Sequence, residues 1–366
     1  MNNRQRLHAI MNYENYDRMP VVHFGFWKET LQKWKDKKIL TEEDLKGPEN
    51  KICDRLGFDF GWGGDFGTNN GLWPCFEQKV VEELPDGSRK IRNGDGVIVL
   101  EFPGMVSIPA EIDHILKDRK SWEEYFLPKL QFSKERVNFE ALETLKKDND
   151  NAENPRGIHL GSMIGVIRNW LGVEGLSYLW GDDPELFDEI INTHAELTYK
   201  CLELALSAGV KFDYGNFWED ICFKNGPLVV PHIFDEKCGP HYKKITDLLK
   251  KHGINIVSLD CDGCIDALVP TWSNNGVNTM FPIEVGTWKA SIRPWREKYG
   301  KSLHGVGGMN KNVFAEDYKA IDAEIERLKP LIELGGYIPC PDHRIPPDAK
   351  WDNVCYYCEK LRQIQI

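Results

Sequence analysis

No run of apolar residues in this 366-residue chain approaches the ~18 that a membrane-spanning helix needs, and the opening Met1-Asn2-Asn3-Arg4 lacks the apolar core of an export signal. No cluster of lysine and arginine interleaved with aromatics is present, and a net charge of −11 repels a nucleic-acid backbone. Internal repeats, low-complexity blocks and Pro/Ser-rich spacers are missing too, so nothing divides residues 1–366 into separate units. The expectation is a cytoplasmic chain forming one domain, without nucleic acid or membrane as partner. Its 41% hydrophobic content is enough for a large core.

Cysteine, by contrast, is plentiful. Ten thiols in a chain without an export signal are expected to stay reduced. Two Cys-x-x-Cys pairs occur. Cys355 and Cys358 sit one helical turn apart, a structural spacing, whereas Cys261 and Cys264 flank the Asp262-Gly263 turn and read either as zinc thiolates or as small buried thiols.

The second half alternates short apolar runs with amphipathic stretches. Asp183 and Pro184 predict the start of a helix over 184–207, with Leu186, Ile190, Ile191, Leu197, Cys201 and Leu202 on one face. Strands are expected at 210–218, 254–259, 277–282, 303–306 and 337–339, and helices near 240–252, 265–275, 288–299, 315–334 and 352–363. Such alternation favours parallel strands wound in one direction, and so a (β/α)8 barrel. A usual barrel takes about 250 residues, leaving roughly 100 for additions. The first half holds a helix at 5–12, a strand at 19–24, a helix at 26–40 and a strand–helix unit over 157–180. Residues 80–92, with Pro85-Asp86-Gly87 between apolar runs, predict a hairpin inserted over the barrel mouth, and the glycine-rich 61–71 reads as a lid.

Glu219, Asp260, Asp262, Glu284 and His343 each follow one of these strands. In a barrel, residues at the carboxyl ends of strands converge on one mouth, and carboxylates with an imidazole suit a hard or borderline cation. Asp260 and His343 are the first choice as metal ligands, with Glu284 or Asp262 completing the set; Glu219 or Asp220 would hold or protonate substrate. The plainer reading is that Asp260 and Asp262 cap the following helix and that His343 belongs to a charged turn before Pro346-Pro347. Twelve tryptophans are many for this length, and His23, Trp27, Trp62 and Trp218 fall where they would line the mouth and bind a flat substrate.

Several blocks together resemble the uroporphyrinogen decarboxylase superfamily: Arg4-Gln5-Arg6-Leu7-His8-Ala9-Ile10-Met11-Asn12 with Asp17-Arg18-Met19-Pro20-Val21, then Trp218-Glu219-Asp220 and Lys224-Asn225-Gly226-Pro227. Leu259-Asp260-Cys261-Asp262-Gly263, residues 278–284, Gly307-Gly308 and the stretch from Gly335 to His343 continue the resemblance over nearly the whole chain. It implies a (β/α)8 barrel. Porphyrinogen decarboxylases carry arginines after the opening Pro-Val, but Val22-His23-Phe24-Gly25-Phe26-Trp27 contains none, which weakens that reading. The other branch resembles zinc-dependent methyltransferases that exchange a methyl group with a corrinoid on a separate protein. Their His-x-Cys before Gly and their later Cys fall here on Asp260, Asp262 and His343, a harder ligand set suited to activating oxygen. A cobalt-ligating Asp-x-His-x-x-Gly loop is absent from this chain, so the corrinoid would come with a partner protein.

The expectation is therefore zinc-dependent O-demethylation, with catalytic roles for Glu219, Asp220 and Asp262 and metal ligation by Asp260, Glu284 and His343. Partners would be a corrinoid-binding protein, a small methoxylated substrate and, at most, a second copy of the chain. The alternatives are a decarboxylase of a small acid and a non-catalytic barrel that binds a metabolite.

Overall fold

A computed structural model describes residues 1–102 and 109–364. Its centre is a run of parallel strands, here β1 Val22–His23, β2 Phe60–Gly61, β3 Gly157–His159, β4 Tyr214–Trp218, β5 Ile256–Asp260, β6 Thr279–Phe281, β7 His304–Met309 and β8 Tyr337–Pro341. Strands β3 to β8 form one six-stranded parallel sheet in chain order, and β1 pairs with β2. A bridge between Phe66 and Ile158 joins β2 to β3, and one between Phe26 and Ile345 joins β8 to β1. The eight strands thus close into the expected barrel.

Helices wrap it. Asp183 caps helix Pro184–Ser207 by accepting the Leu186 N–H at 2.9 Å, and the predicted apolar face is buried. The next helix starts earlier than its pattern indicates, at Pro231, and carries Pro240 in its interior. The expected 288–299 helix is split into Val285–Trp288 and Ile292–Tyr299, because Lys289 turns left-handed between them. At the amino end of the barrel, helix Asn3–Met11 packs across the strand starts. There Arg4 and His8 both reach the buried Asp213, each at 2.7 Å, and the Gly336 N–H bonds to the Ile10 carbonyl. That end is plugged, which leaves the carboxyl ends of the strands as the mouth.

The hairpin is real but larger than expected. Strands Lys79–Glu83, Arg89–Arg92, Val97–Glu101 and Ala110–His114 form an antiparallel sheet. It packs through His114 on Gly172 of helix Gly165–Asp182, the helix that follows β3. The 61–71 tract is no lid either. The Phe66 N–H bonds to the Gly157 carbonyl, the His159 N–H bonds back to the Phe66 carbonyl, and Trp62 is buried, so the tract continues the barrel wall. The sequence pattern missed β2 because only two of its residues precede the glycines.

Candidate metal centre

Three of the strand-end acids meet. Asp260 ends β5, Asp262 stands in the turn after it, and Asp220 follows β4; one carboxylate oxygen from each lies within 4.8 Å of the others. Asp220 reaches this place with φ +46, a left-handed conformation that few residues with a side chain adopt. Its Oδ1 accepts the Asp262 N–H at 3.0 Å, tying the two loops together, and Asp262 Oδ1 is buried with no hydrogen-bond partner. His343 adds an imidazole from beyond β8, its Nε2 3.2 Å from Asp262 Oδ2. Arg168 donates to the Asp220 carbonyl at 2.8 Å.

Crowding of like charges marks the site. Burial pushes the Asp220 carboxyl up to about 6, and the neighbouring Asp262 adds to the shift. Asp260 is driven well above the usual carboxylate range, first by burial and then by the charges of Asp220 and Asp262. A group of carboxylates out of bulk water is costly unless a cation sits among them. An oxygen-rich set with one imidazole beside it fits a divalent cation, zinc included, and the unbonded oxygen of Asp262 supplies a free lone pair for it.

Other acids named from the sequence do something else. Glu219 is wholly buried, and its carboxylate accepts the N–H groups of Met163, Ile164 and Gly165 at 2.6, 2.9 and 2.8 Å, the Ser162 hydroxyl at 3.0 Å and the Tyr242 hydroxyl. It is an anion seated on the start of helix Gly165–Asp182. Gly165 is required there, because a Cβ would lie 2.0 Å from the Glu219 carbonyl oxygen. Burial raises the Glu219 carboxyl and these donors pull it back. With five donors on it, Glu219 has no lone pair directed at a substrate. Glu284 is also buried and stands outside the three-acid group: Oε2 accepts the Gly263 N–H at 2.5 Å and Oε1 the Thr287 hydroxyl at 2.8 Å.

Of the aromatic candidates, Trp27 stacks on His343 with centroids 5.4 Å apart, and Trp218 lies under the Arg168 guanidinium at 5.9 Å, so both border the acids. Trp62 is deeper, stacked on Tyr214 at 4.3 Å with its indole N–H on the Ser258 hydroxyl at 3.1 Å. It forms part of the barrel floor. His23 points to the other face of β1, against Phe26 and Phe58, while the next residue, Phe24, packs on Phe281 and His343. His23 groups instead with Glu49 and Cys53. In that trio His23 Nδ1 accepts the Gly25 N–H at 3.0 Å, and burial pushes the Cys53 thiol up to about 12. Cys261 and Cys264 are free thiols outside the three-acid group.

Sequence reasoning missed Asp65 and Arg168. Both Asp65 oxygens are sealed from solvent; burial raises the carboxyl to about 6, and the neighbouring Tyr214 and Asn216 side chains pull it partly back. Its charge is felt by Asp260. It stands in the glycine-rich 61–71 tract, an acid among small residues following a strand, which was the available signal.

No family model matches the chain, and no curated protein matches it. Among solved structures, a methyltransferase from Methanosarcina mazei superposes with a TM-score of 0.61 over 99% of this chain and 98% of that one, at 13% identity. A B12-independent methionine synthase from Shewanella sp. W3-18-1 gives 0.48 at 11% identity, covering 95% and 98% of the two chains. The first likeness supports the barrel over its full length; the second is too loose to argue from. Among the described residues no helix is long and apolar enough to cross a membrane.

Proposed function

We propose that the chain is a methyltransferase that takes the methyl group from a methoxylated aromatic compound and passes it to a corrinoid on a separate protein, using a divalent cation, zinc by expectation. The observation that carries this reading is the meeting of Asp220, Asp260 and Asp262 at the mouth of a barrel, with a buried, unbonded oxygen among them. A fold shared with a methyltransferase and the superfamily resemblance point the same way.

These three carboxylates would hold the cation, and His343, on Asp262, stands ready as a further donor. When bound, the cation supplies Lewis acidity beside the ether oxygen. The carbon–oxygen bond would break with its electron pair left on oxygen, while the partner's reduced corrinoid, as cobalt(I), would supply the pair for the new bond to the methyl carbon. Such a departure is slow unless the new negative charge is met as it forms. Trp27 and Trp218 give the site flat apolar edges suited to an aromatic ring, and Arg168 anchors the Asp220 backbone so that its carboxylate faces inward.

The same acids count against the decarboxylase alternative, since a carboxylate substrate would be repelled by the residues meant to bind it. The test pairs metal analysis with turnover. Purified protein should carry a stoichiometric divalent cation that Asp262→Ala loses, and it should form methyl–cobalt, followed spectroscopically, when given a methoxylated aromatic and a reduced corrinoid protein. Turnover persisting after chelation would overturn the reading.

A further inference from the structure

Around the mouth, three strand-end acids that stand outside the three-acid group each hold the backbone of a neighbouring loop. Asp342, buried beyond β8, accepts the Gly286 N–H at 2.8 Å and the Lys311 N–H at 3.1 Å. Glu284, beyond β6, accepts the Gly263 N–H. Glu219, beyond β4, accepts the loop after β3. Only the Glu284 link ends on a turn that itself carries a member of the group, because Gly263 directly follows Asp262.

From this geometry we infer that Glu284 is a positioning residue, which sets the Asp262-Gly263 turn so that Asp262 presents its free oxygen to a cation; the inference rests on the cation reading above. The turn has little other freedom. Gly263 has φ +86 and a Cβ there would lie 2.5 Å from the Cys222 carbonyl oxygen, so the loop after β4 blocks one side. On that side Asp220 takes the Asp262 N–H, and on the opposite side Glu284 takes the next N–H along. Two successive backbone donors are thereby claimed by acids from two different strands, which fixes the direction of the Asp262 side chain between them. Thr287, donating to the second Glu284 oxygen at 2.8 Å, holds the carboxylate in line. Groups that orient ligands from behind in this way typically change metal affinity 10- to 100-fold when removed.

A positioning role and direct ligation predict different things. The experiment is calorimetric titration of zinc alone into chelator-stripped protein, for the wild-type chain and for Glu284→Ala, Glu284→Gln and Thr287→Val, with thermal unfolding as a check on folding. Glu284→Ala should bind zinc about 10- to 100-fold more weakly. Glu284→Gln keeps an oxygen for the Gly263 N–H and should stay within about threefold of wild type, as should Thr287→Val, which leaves that bond in place. Equal losses in the Ala and Gln variants would overturn the inference by making Glu284 a direct ligand, and no loss in either would leave it a merely structural acid. A wild-type chain that takes up no zinc would instead overturn the cation reading itself.

Discussion

Removing one charge from the acid group should make the metal-free protein more stable and the metal-loaded protein less so. Asp260→Asn is the sharpest form of this test, because burial and neighbouring charges dominate the environment of that carboxyl. At an effective dielectric near 20, two like charges 4.8 Å apart repel by about 3–4 kcal/mol. Part of that repulsion is already relieved in metal-free protein, since burial and the neighbouring charges push the Asp260 carboxyl well above its ordinary range and so favour its neutral form. The gain left for asparagine is then about 1–2 kcal/mol, or a rise of a few degrees in Tm for a chain of this size. With zinc at a hundred times its Kd the wild-type protein gains about 2.7 kcal/mol by mass action, and the variant should lose most of that gain. Thermal unfolding in chelator and in zinc therefore gives curves that exchange order. If Asp260→Asn lowers Tm equally in both, the acids are not an unneutralised group and the argument for a cation fails.

Three further outcomes follow from the same geometry. Glu219→Ala strands the start of a helix without its anion and should cost about 3–5 kcal/mol in urea unfolding, equally with and without zinc; a zinc-dependent loss would place Glu219 at the cation after all. Gly307→Ala puts a Cβ 2.4 Å from the Ile283 nitrogen at φ +123 and should lower stability by at least ~2 kcal/mol, a loss that an unchanged Tm would disprove. His23, His194 and His304 are each held near 4 by burial instead of 6.5, so the unfolded chain takes up protons between those values that the folded chain refuses. Stability is full above about 6.5 and falls as pH drops toward 4, by up to about 3 kcal/mol per histidine, and a urea midpoint identical at pH 7 and pH 5 would refute this.

The barrel was legible because its later strands are flanked by long amphipathic helices, whose 3.6-residue period is hard to mistake. Asp183-Pro184 and the apolar face of 184–207 read directly as the helix that forms. Of the early strands, β1 lies within the expected 19–24 stretch, whereas β2 was not legible, because it contributes two residues and is tied to β3 by the bridge at Phe66 rather than marked by a pattern of its own. His23 was expected at the mouth with the tryptophans; a strand turns successive side chains to opposite faces, and at a strand of two residues the parity is not readable from sequence.

The harder problem lies in adjacent acids. Glu219 and Asp220 are equivalent in pattern, both acidic and both at the end of β4, yet one is saturated by a helix start and the other faces Asp260 and Asp262 at the mouth. What separates them is the supply of donors, not burial. Glu219 takes five donors, and Glu284 and Asp342 have donors on both oxygens, whereas Asp220 has one backbone donor, on Oδ1, and Asp260 and one oxygen of Asp262 face other carboxylates. A buried carboxylate with donors around it is stable as an anion, and one without them needs a proton or a cation. If the class matters and position alone does not, Glu219→Gln should destabilise the chelated protein while Asp260→Asn stabilises it. A Glu219→Gln variant as stable as the wild-type chain would show that donor supply does not distinguish these acids.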